Sequence, residues 1–307
     1  MNTPYSCEEF YSELLEHGLI YPTGVDGGYG RGKVFEEILG RFDSLLLRNS
    51  ASASPEIVTF PPIVARTLIE KVGYMENFPH LSGSISSFTG DDKQARRLRE
   101  RIQACEHWED LMTPTECMMT PAACYPVYPI LSGTLKPGGR LVTVMNWVYR
   151  HEPSAEPTRL QSFRMREFIR AGTPDEVDEF QSEWMERYLT LLLTLKLPMT
   201  TDLASDAFFG RTGKMMEASQ REQALKIEML VPVISEANPT AIGSFNRHND
   251  KFSSIFGILS DDGKTAVTAC LAFGLERTTL ALLKTHGFEP RDWPTDVRRA
   301  LLWPTPP

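Results

Sequence analysis

The sequence predicts an α+β fold in which an antiparallel β-sheet is flanked by helices. Strand-like apolar stretches recur along the chain, but their connections are long and unequal, without the regular alternation of strand and helix that a parallel sheet shows. Apolar residues at helical spacing lie both before and after the first strands. The 307 residues, 41% of them hydrophobic, suffice for one large domain with a sizeable core or two small domains, and we expect a single domain.

Apolar periodicity predicts the first helices over residues 5–20 and 33–48, with the glycine-rich segment GVDGGYGRGKV between them. This segment fits the pattern GxxxxGK from Gly27 to Lys33, but Val34 stands where a phosphate-binding loop has Ser or Thr. No clear strand precedes it either. We therefore expect a loop between two helices, and a contribution to an active-site rim stays open.

The middle of the chain alternates short strands and helices. A strand is predicted at 57–60, a helix at 63–72, a basic helix at 91–103, a proline-broken strand region at 118–131 and a strand at 139–152. Thr173 as N-cap, Pro174 as first helical residue and Glu176 two positions later predict the start of a core helix, which Pro198 should end.

The last third contains further strands and a final core helix. Residues 222–234 and 243–258 have strand-like spacing, residues 265–274 read as a strand, and a helix follows from Gly274 to the cap at Gly287. The tail 293–307 contains a short helix closed by prolines.

Charge and composition exclude several classes of protein. The formal net charge is −8, which disfavours bulk nucleic-acid binding. The N-terminus has neither a basic start nor an apolar stretch typical of a secretory signal, and the apolar run 188–199 is too short to span a bilayer. Five cysteines without a CxxC pair indicate no disulfide framework, so we expect a cytoplasmic protein with no membrane association.

The hairpin predicted around residues 146–172 is rich in arginine. It contains Glu152 and Glu167 together with five arginines, Arg150, Arg159, Arg164, Arg166 and Arg170. A solvated ribbon with surface salt bridges would explain such charges. Guanidinium groups also stay charged and grip phosphate oxygens in a planar fork, so a phosphate site is the second interpretation. Arg150, like Arg277, lies in an otherwise apolar segment, which favours a functional role for both.

Three separated segments resemble the motifs of class II aminoacyl-tRNA synthetases. Residues 60–63 (FPPI) before a helix resemble motif 1, the dimer-interface motif; residues 149–152 (YRHE) and 160–163 (LQSF) resemble motif 2; residues 273–277 (FGLER) resemble motif 3. The resemblance covers residues 55–290 as a catalytic core, with residues 1–50 as an N-terminal helical extension, and implies a homodimer. Seryl-tRNA synthetases are the most similar members.

The resemblance implies a site for ATP and Mg²⁺. Arg150 would hold the α-phosphate and the substrate carboxylate, and Arg277 would cover adenine near the γ-phosphate; these two are the expected catalytic residues. The other nucleotide contacts implied are Glu152, Arg159, Leu160 and Phe163, with Glu228 on magnesium. Because adenylate formation joins two anions, charge neutralisation and positioning should dominate catalysis.

Cys124, Glu167 and Cys270 have no local metal-binding spacing, and a buried cysteine is more often a core residue. The resemblance extends to the methanogenic type of seryl-tRNA synthetase, in which Cys, Glu and Cys at these points hold a catalytic zinc. It implies one Zn²⁺ per subunit whose open position takes the α-amino group of the amino acid. Ala123 and Glu167, with Ala241, Ile242, Gly243, Ser244 and Asn246, would line the substrate pocket. His248 is expected to be a core residue.

Only about fifty residues precede motif 1, and neither end is strongly basic, so no tRNA-binding appendage is expected. The chain thus resembles the amino acid:[carrier protein] ligases of bacteria, including over residues 204–234. These activate a small amino acid, typically glycine and sometimes alanine, and load it onto the phosphopantetheine thiol of a carrier protein. A compact seryl-type tRNA synthetase and a non-catalytic paralogue that binds amino acid or ATP are the alternatives.

Carrier proteins are usually acidic, so an acidic enzyme needs a local cationic face to receive one. The predicted helix 91–103 offers Lys93, Arg96, Arg97, Arg99 and Arg101. It is either the docking surface for the carrier or a merely solvated helix.

Overall fold

A computed structural model describes residues 6–304 except 207, 208, 210–213, 215, 217–219 and 221–224. Within these residues the α-helices are Cys7–Glu16, Lys33–Ser50, Arg66–Lys71, Tyr74–Asn77, Asp92–Gln103, Pro174–Thr194, Lys251–Phe256, Leu275–His286 and Thr295–Ala300. The strands are Ile20–Val25, Gly28–Arg31, Glu56–Val58, Ile63–Ala65, Ser84–Ser87, Thr113–Met119, Gly133–Thr134, Arg140–Tyr149, Ser162–Gly172, Thr200–Leu203, Lys226–Val231, Thr240–Asn249, Ile258–Leu259 and Val267–Gly274.

Seven of the described strands form the main sheet, which confirms the predicted α+β class. Its spatial order is Thr200–Leu203, Lys226–Val231, Thr240–Asn249, Val267–Gly274, Ser162–Gly172, Arg140–Tyr149 and Glu56–Val58. The first six pair antiparallel, and the outer strand Glu56–Val58 pairs parallel to its neighbour. The sheet is therefore antiparallel as predicted, with one parallel edge.

The two faces of this sheet belong to two separate apolar clusters, because successive strand residues point to opposite faces. On Ser162–Gly172, Phe168 packs in the cluster that includes the helices Lys33–Ser50, Pro174–Thr194 and Leu275–His286. Phe163 and Ile169 belong to the other cluster, together with residues of the 3₁₀ segment Tyr125–Leu131. The candidate site lies on this second face.

Several predicted helices have the predicted caps. The side chain of Thr173 accepts from the N–H of Glu176, whose carboxylate accepts from the N–H of Thr173, and Pro174 is the first helical residue. Asp92–Gln103 has a cap that was not predicted, because Asp91 and Gln94 bond reciprocally there. The strand Val267–Gly274 runs into Leu275–His286, which Gly287 ends as predicted.

The prediction of a glycine-rich loop between the first two helices was wrong. Ile20–Val25 and Gly28–Arg31 form an antiparallel hairpin in which Val25 pairs with Gly28. Asp26 and Gly27 make the two-residue turn, a pair that favours tight hairpins because the turn needs a positive φ, and Gly27 has φ +73°. The first helix ends at Glu16, before this hairpin.

Four other local predictions also differ from the structure. Residues 63–65 are a strand paired with Thr113–Met119, residues 125–131 are a 3₁₀ segment, and residues 251–256 are helical. The helix Pro174–Thr194 ends before Pro198, where Lys196 has φ +52°. Residues 204–234, which contribute to the resemblance to the carrier protein ligases, lie partly outside the described residues. No helix in the described ranges is both long and apolar enough to cross a membrane.

Candidate active site

The fold brings together three side chains that are far apart in sequence. Cys124 precedes the 3₁₀ segment, Glu167 lies on Ser162–Gly172, and Cys270 lies on Val267–Gly274. Their sulfur and carboxylate oxygen atoms lie within 4.8 Å of one another, and all three residues are buried. The adjacent strands create this meeting, since Ala272, two residues after Cys270, pairs with Glu167.

Surrounding groups fix the orientation of these three side chains. One oxygen of Glu167 accepts backbone N–H bonds from Ala123 (2.8 Å) and Cys124 (3.2 Å). The sulfur of Cys270 lies 3.6 Å from Asn246 Nδ2 and 3.7 Å from His248 Nε2. Such outer contacts are typical around metal ligands, where they set ligand direction and charge.

His248 is held in turn by two hydroxyl groups. Its Nδ1 lies 3.3 Å from the Tyr128 hydroxyl and 3.3 Å from the Thr268 hydroxyl. Burial lowers the pKa of His248 to about 3, so the ring is neutral. Both ring nitrogens therefore have a polar neighbour, the two hydroxyl groups for Nδ1 and the sulfur of Cys270 for Nε2.

The electrostatics of the cluster suit a divalent cation. The neighbouring Cys270 and burial raise the pKa of the Cys124 thiol, and burial raises the pKa of the Glu167 carboxyl. Two sulfurs and a carboxylate oxygen are a donor set that Zn²⁺ accepts, and a cation would stabilise their deprotonated forms. The three residues therefore fit a metal ion.

A cationic region adjoins this cluster on the same face. The guanidinium carbons of Arg150 and Arg277 each lie 5.7 Å from the ring centroid of the buried Phe163. Arg150 donates through Nε to Pro121 O (3.2 Å), in the segment that also carries Cys124. Arg277 donates to the backbone oxygens of Thr158 (3.0 Å) and Ala241 (3.3 Å).

Among the described residues, neither guanidinium group forms an ion pair with a carboxylate within 4.0 Å, although the charges of Glu152 and Glu228 act on Arg277 from a greater distance. Burial and the nearby Arg150 lower the pKa of Arg277 to about 10, which still leaves it charged at neutral pH. Two neighbouring cations that bond only to uncharged groups have their charge available for an anion.

The outer part of the region contains two ion pairs. Arg159, half-exposed, donates to Glu152 at 2.8 Å, and the adjacent Leu160 is buried. Glu228 accepts from Lys226 at 2.9 Å, and Lys226 also contacts Asp206 at 2.7 Å. Arg159 and Glu228 are therefore both paired with a neighbouring charged side chain.

The expected substrate strand is divided between the two faces of the sheet. Asn246 pairs with Cys270 and Ser244 pairs with Ala272, so Asn246 and Ser244 lie beside the three-ligand cluster, our name for the candidate metal ligands Cys124, Glu167 and Cys270. Asn246 Nδ2 also donates to Ser244 Oγ (3.0 Å). A bulge lies near Ala241, whose carbonyl faces Arg277.

The other two residues expected on the substrate strand point away from the cluster or lack a side chain. Ile242 packs in the apolar cluster on the other face. A Cβ on Gly243 would lie 2.9 Å from Ala272 O, so no side chain fits there.

Three hairpin arginines have structural partners on the opposite face. Arg164 pairs with Glu36 (2.6 Å) and the fully buried Glu276 (2.9 Å). Arg166 pairs with Asp43 (2.7 Å) and Arg170 with Glu176 (3.7 Å). The salt-bridge interpretation of the hairpin is therefore confirmed for these three arginines. The phosphate site stays a prediction for Arg150 and Arg159.

Sequence reasoning missed several supporting residues. It treated His248 as an ordinary core histidine, although the structure places it against Cys270, and it did not single out Tyr128 or Glu276. The position of Glu276 beside Arg277 could have indicated that residue. For His248 and Tyr128 the local sequence carries no such signal.

The basic helix Asp92–Gln103 has no buried residue. Arg101 is engaged by Asp110, whereas Lys93, Arg96, Arg97 and Arg99 are exposed. Its role in carrier docking stays a prediction.

Comparison with known proteins identifies close relatives. The chain is 39% identical over 304 residues to amino acid–[acyl-carrier-protein] ligase 1 of Bradyrhizobium diazoefficiens, covering 98% of this chain and 93% of the relative. It is 38% identical over 289 residues to ligase 2 of the same organism, covering 94% and 86%. No model of a protein family matches the chain.

More distant matches are tRNA ligases. The type-2 serine–tRNA ligase of Methanococcus aeolicus is 24% identical over 289 residues, which cover 88% of this chain and 55% of that protein. A crystal structure of Methanopyrus kandleri seryl-tRNA synthetase with Aquifex aeolicus tRNASec aligns with a TM-score of 0.81 and 20% identity, over 98% of this chain and 61% of that one. This likeness confirms the class II synthetase fold.

Proposed function

Since this chain belongs to the amino acid–[acyl-carrier-protein] ligases, we propose that it activates glycine, or alanine as second choice, with ATP and loads it onto the phosphopantetheine thiol of a carrier protein. Membership of this family means that the chain is a ligase that activates an amino acid and transfers it to a carrier protein. The nucleotide, the amino acid and the metal are the parts proposed here.

The observation that supports the proposal most is the adjacency of two unlike half-sites on one sheet face. Arg150 and Arg277, without carboxylate partners in the described part of the chain, flank Phe163, and the cluster of Cys124, Glu167 and Cys270 begins at the segment that Arg150 contacts. An amino acid held by its amino group at the cluster would direct its carboxylate towards the arginines. Adenylate formation needs this juxtaposition.

The reaction then has two balanced steps. A carboxylate oxygen of the amino acid attacks the α-phosphorus of ATP, and the bond to the bridging oxygen of pyrophosphate breaks. The carrier thiol next attacks the carbonyl carbon, forming a thioester while AMP leaves and the thiol loses its proton. Arg150 and Arg277 would stabilise negative charge in the first step, and Glu228, with magnesium, would hold the phosphates.

We propose Zn²⁺ for the three-ligand cluster. Bound there, it would leave one position for the neutral α-amino group and so orient the substrate. Glu167 is kept in place by the N–H groups of Ala123 and Cys124, and Cys270 by Asn246 and His248.

The glycine preference rests on the family resemblance and on the small groups near the cluster. Asn246 pairs with Cys270 across the two strands, and the next pair on the same face is Ser244 with Ala272. All three neighbours of Cys270 have short side chains. An additional methyl group changes binding by about 1–3 kcal/mol, so alanine should be a poorer substrate that is still used.

A single assay tests the proposal. We would measure pyrophosphate exchange with ATP for each of the twenty amino acids, before and after removal of metal with a chelator, together with the zinc content of the pure protein. Exchange should require glycine or alanine, disappear with the metal and return when Zn²⁺ is added.

The acceptor is identified by extending the assay. Radiolabelled amino acid should appear on a phosphopantetheinylated carrier and not on total tRNA. Labelling of tRNA instead would favour a compact seryl-type tRNA synthetase. Tight binding of ATP without exchange for any amino acid would favour a non-catalytic paralogue.

A further inference from the structure

We propose that the hairpin formed by Ile20–Val25 and Gly28–Arg31 is a positioning element. Through Gly27 it holds in place residues 150–161, the proposed ATP-binding loop between the strands Arg140–Tyr149 and Ser162–Gly172. The inference rests on the proposed nucleotide role of Arg150 and Arg159. It gives a function to the GxxxxGK segment, which does not form the amide-lined loop of a phosphate site, because Gly28 and Gly30 pair with Val25 and Tyr21 in a strand ladder.

The tip of the hairpin contacts Gln161, the residue directly before the strand Ser162–Gly172. The N–H of Gln161 donates to Gly27 O (2.9 Å), and the side-chain amide of Gln161 donates to Asp26 O (2.7 Å). Gln161 is buried, so these bonds are shielded from water and would be costly to leave unmade.

Gln161 connects this contact to the catalytic arginine. Its carbonyl oxygen accepts from the N–H of Arg150 (2.8 Å), and its side-chain oxygen accepts from the Tyr149 hydroxyl (3.3 Å). The backbone of residue 161 is thus held by Gly27 on one side and holds Arg150 on the other. A shift of the hairpin tip would move Arg150 and the neighbouring Arg159 together.

The base of the hairpin is anchored equally firmly. Arg31 donates to Ser162 O (3.0 Å) and contacts Glu276 at 3.5 Å, next to Arg277. Arg31 and Arg164 each lie over the ring of Trp147, at 4.9 and 4.8 Å from its centroid. The hairpin is therefore attached to the strands that carry the site both at its tip and at its base.

Glycine is required at position 27 for a reason that other glycines of the hairpin do not share. Gly27 has φ +73°, and a Cβ there would lie 2.8 Å from Arg159 O and 3.2 Å from Gln161 N. Gly24 has φ +83°, but a Cβ on it would meet nothing within 4 Å. Alanine is strained at either position because both φ angles are positive, but only at position 27 would its Cβ press against the backbone of Arg159 and Gln161.

This difference provides a matched pair of variants, Gly27→Ala and Gly24→Ala. We expect Gly27→Ala to raise the KM for ATP in pyrophosphate exchange by about tenfold or more, and the KM for the amino acid by less, because the proposed contacts of both Arg150 and Arg159 are with ATP but only Arg150 would contact the amino acid. Gly24→Ala should match wild type in both constants, and the two variants should melt at similar temperatures.

A second readout does not depend on catalysis. Hydrogen exchange of peptides spanning residues 156–165 should show lost protection of the Gln161 amide in Gly27→Ala and unchanged protection in Gly24→Ala. If Gly27→Ala does not fold, Gln161→Leu takes its place, since it removes the bonds to Asp26 and Tyr149 without moving the backbone, and the same selective rise in the KM for ATP is expected.

Equal protection and equal KM for ATP in both glycine variants would overturn the inference, as would a parallel rise in both KM values. Wild-type protein without any exchange activity would instead overturn the proposed function. In that case, the difference in amide protection would still decide whether the hairpin holds residue 161.

Discussion

At the scale of single residues, strand parity places three arginines of Ser162–Gly172 on the face opposite the candidate site. Phe163 and Glu167 share the site face, whereas Arg164, Arg166 and Arg170 point to the other face and pair with acidic residues of helices. The period of two is readable from the sequence, once Glu167 is placed in the site. The acidic partners of Arg164 and Arg166 are not readable, because they lie more than a hundred residues away in the sequence.

We predict that Arg277→Lys abolishes most adenylate formation while the fold survives. Lysine keeps the charge but loses the planar fork that reaches Thr158 O and Ala241 O, so exchange should fall about 100-fold or more. The measurement is pyrophosphate exchange beside a thermal melt. Arg170→Lys, on the opposite face, serves as control and should retain wild-type exchange; exchange by Arg277→Lys within threefold of wild type would contradict the assignment.

We predict that the ion pair of Glu36 and Arg164 adds to the free energy of unfolding at neutral pH and that this contribution is lost in acid. Bonds from Arg164 lower the pKa of Glu36, with Arg31 adding to the effect, so the folded state favours the charged carboxylate. Its stabilisation is present above the unfolded pKa of about 4.3 and is lost as pH falls through the folded pKa.

Urea unfolding of wild type and Glu36→Gln tests this sign. The difference in unfolding free energy should be about 0.5–1 kcal/mol at pH 7 and shrink below pH 4. A difference that stays constant or grows towards acidic pH would contradict the prediction.

At the scale of elements, local signals predicted the structure where the element depends on its own residues. The capped helix Pro174–Thr194 and the turn from Val267–Gly274 into Leu275–His286 follow from N-caps, proline and glycine. The strand Ile63–Ala65 was mistaken for helix because its conformation comes from pairing with Thr113–Met119. The hairpin at residues 20–31 was missed, although its Asp-Gly turn is a readable signal.

We predict that the basic helix Asp92–Gln103 receives the carrier protein. Reversing two exposed charges, Arg96→Glu with Arg97→Glu, should raise the KM for the carrier about tenfold and leave pyrophosphate exchange unchanged, because the helix lies outside the candidate site. The control is a double reversal at other exposed cations, Lys264→Glu with Arg291→Glu. Equal loading kinetics in the two double variants would show that the helix is only solvated.

At the scale of the whole molecule, the sheet assembles a site that no local pattern contains. Cys124 and Glu167 are 43 residues apart in the sequence, yet the backbone N–H of Cys124 donates to the side-chain carboxylate of Glu167. The pairing of Val144 with Glu167 and of Glu167 with Ala272 aligns three strands in register. Only a resemblance to a known family could nominate these ligands from the sequence, since register is a property of the folded sheet.

The same sheet leaves an apolar edge that we predict to be covered in a homodimer. Ile57, on the outer strand Glu56–Val58, is 68% exposed, and Ile130 is 43% exposed. The two lie near each other, because Arg140 donates both to Glu56 (2.6 Å) and to Ile130 O (2.9 Å). Proteins usually cover or charge such edges.

Sedimentation across a range of concentrations tests this prediction. Wild type should sediment as a dimer, and Ile57→Asp should weaken association at least about tenfold, since the variant would bury an unpaired charge at the contact. Leu193→Asp changes a residue that is 63% exposed on the helix Pro174–Thr194 and should leave association unaltered. If both variants sediment like wild type, the outer strand Glu56–Val58 is not the subunit contact, and the prediction is wrong.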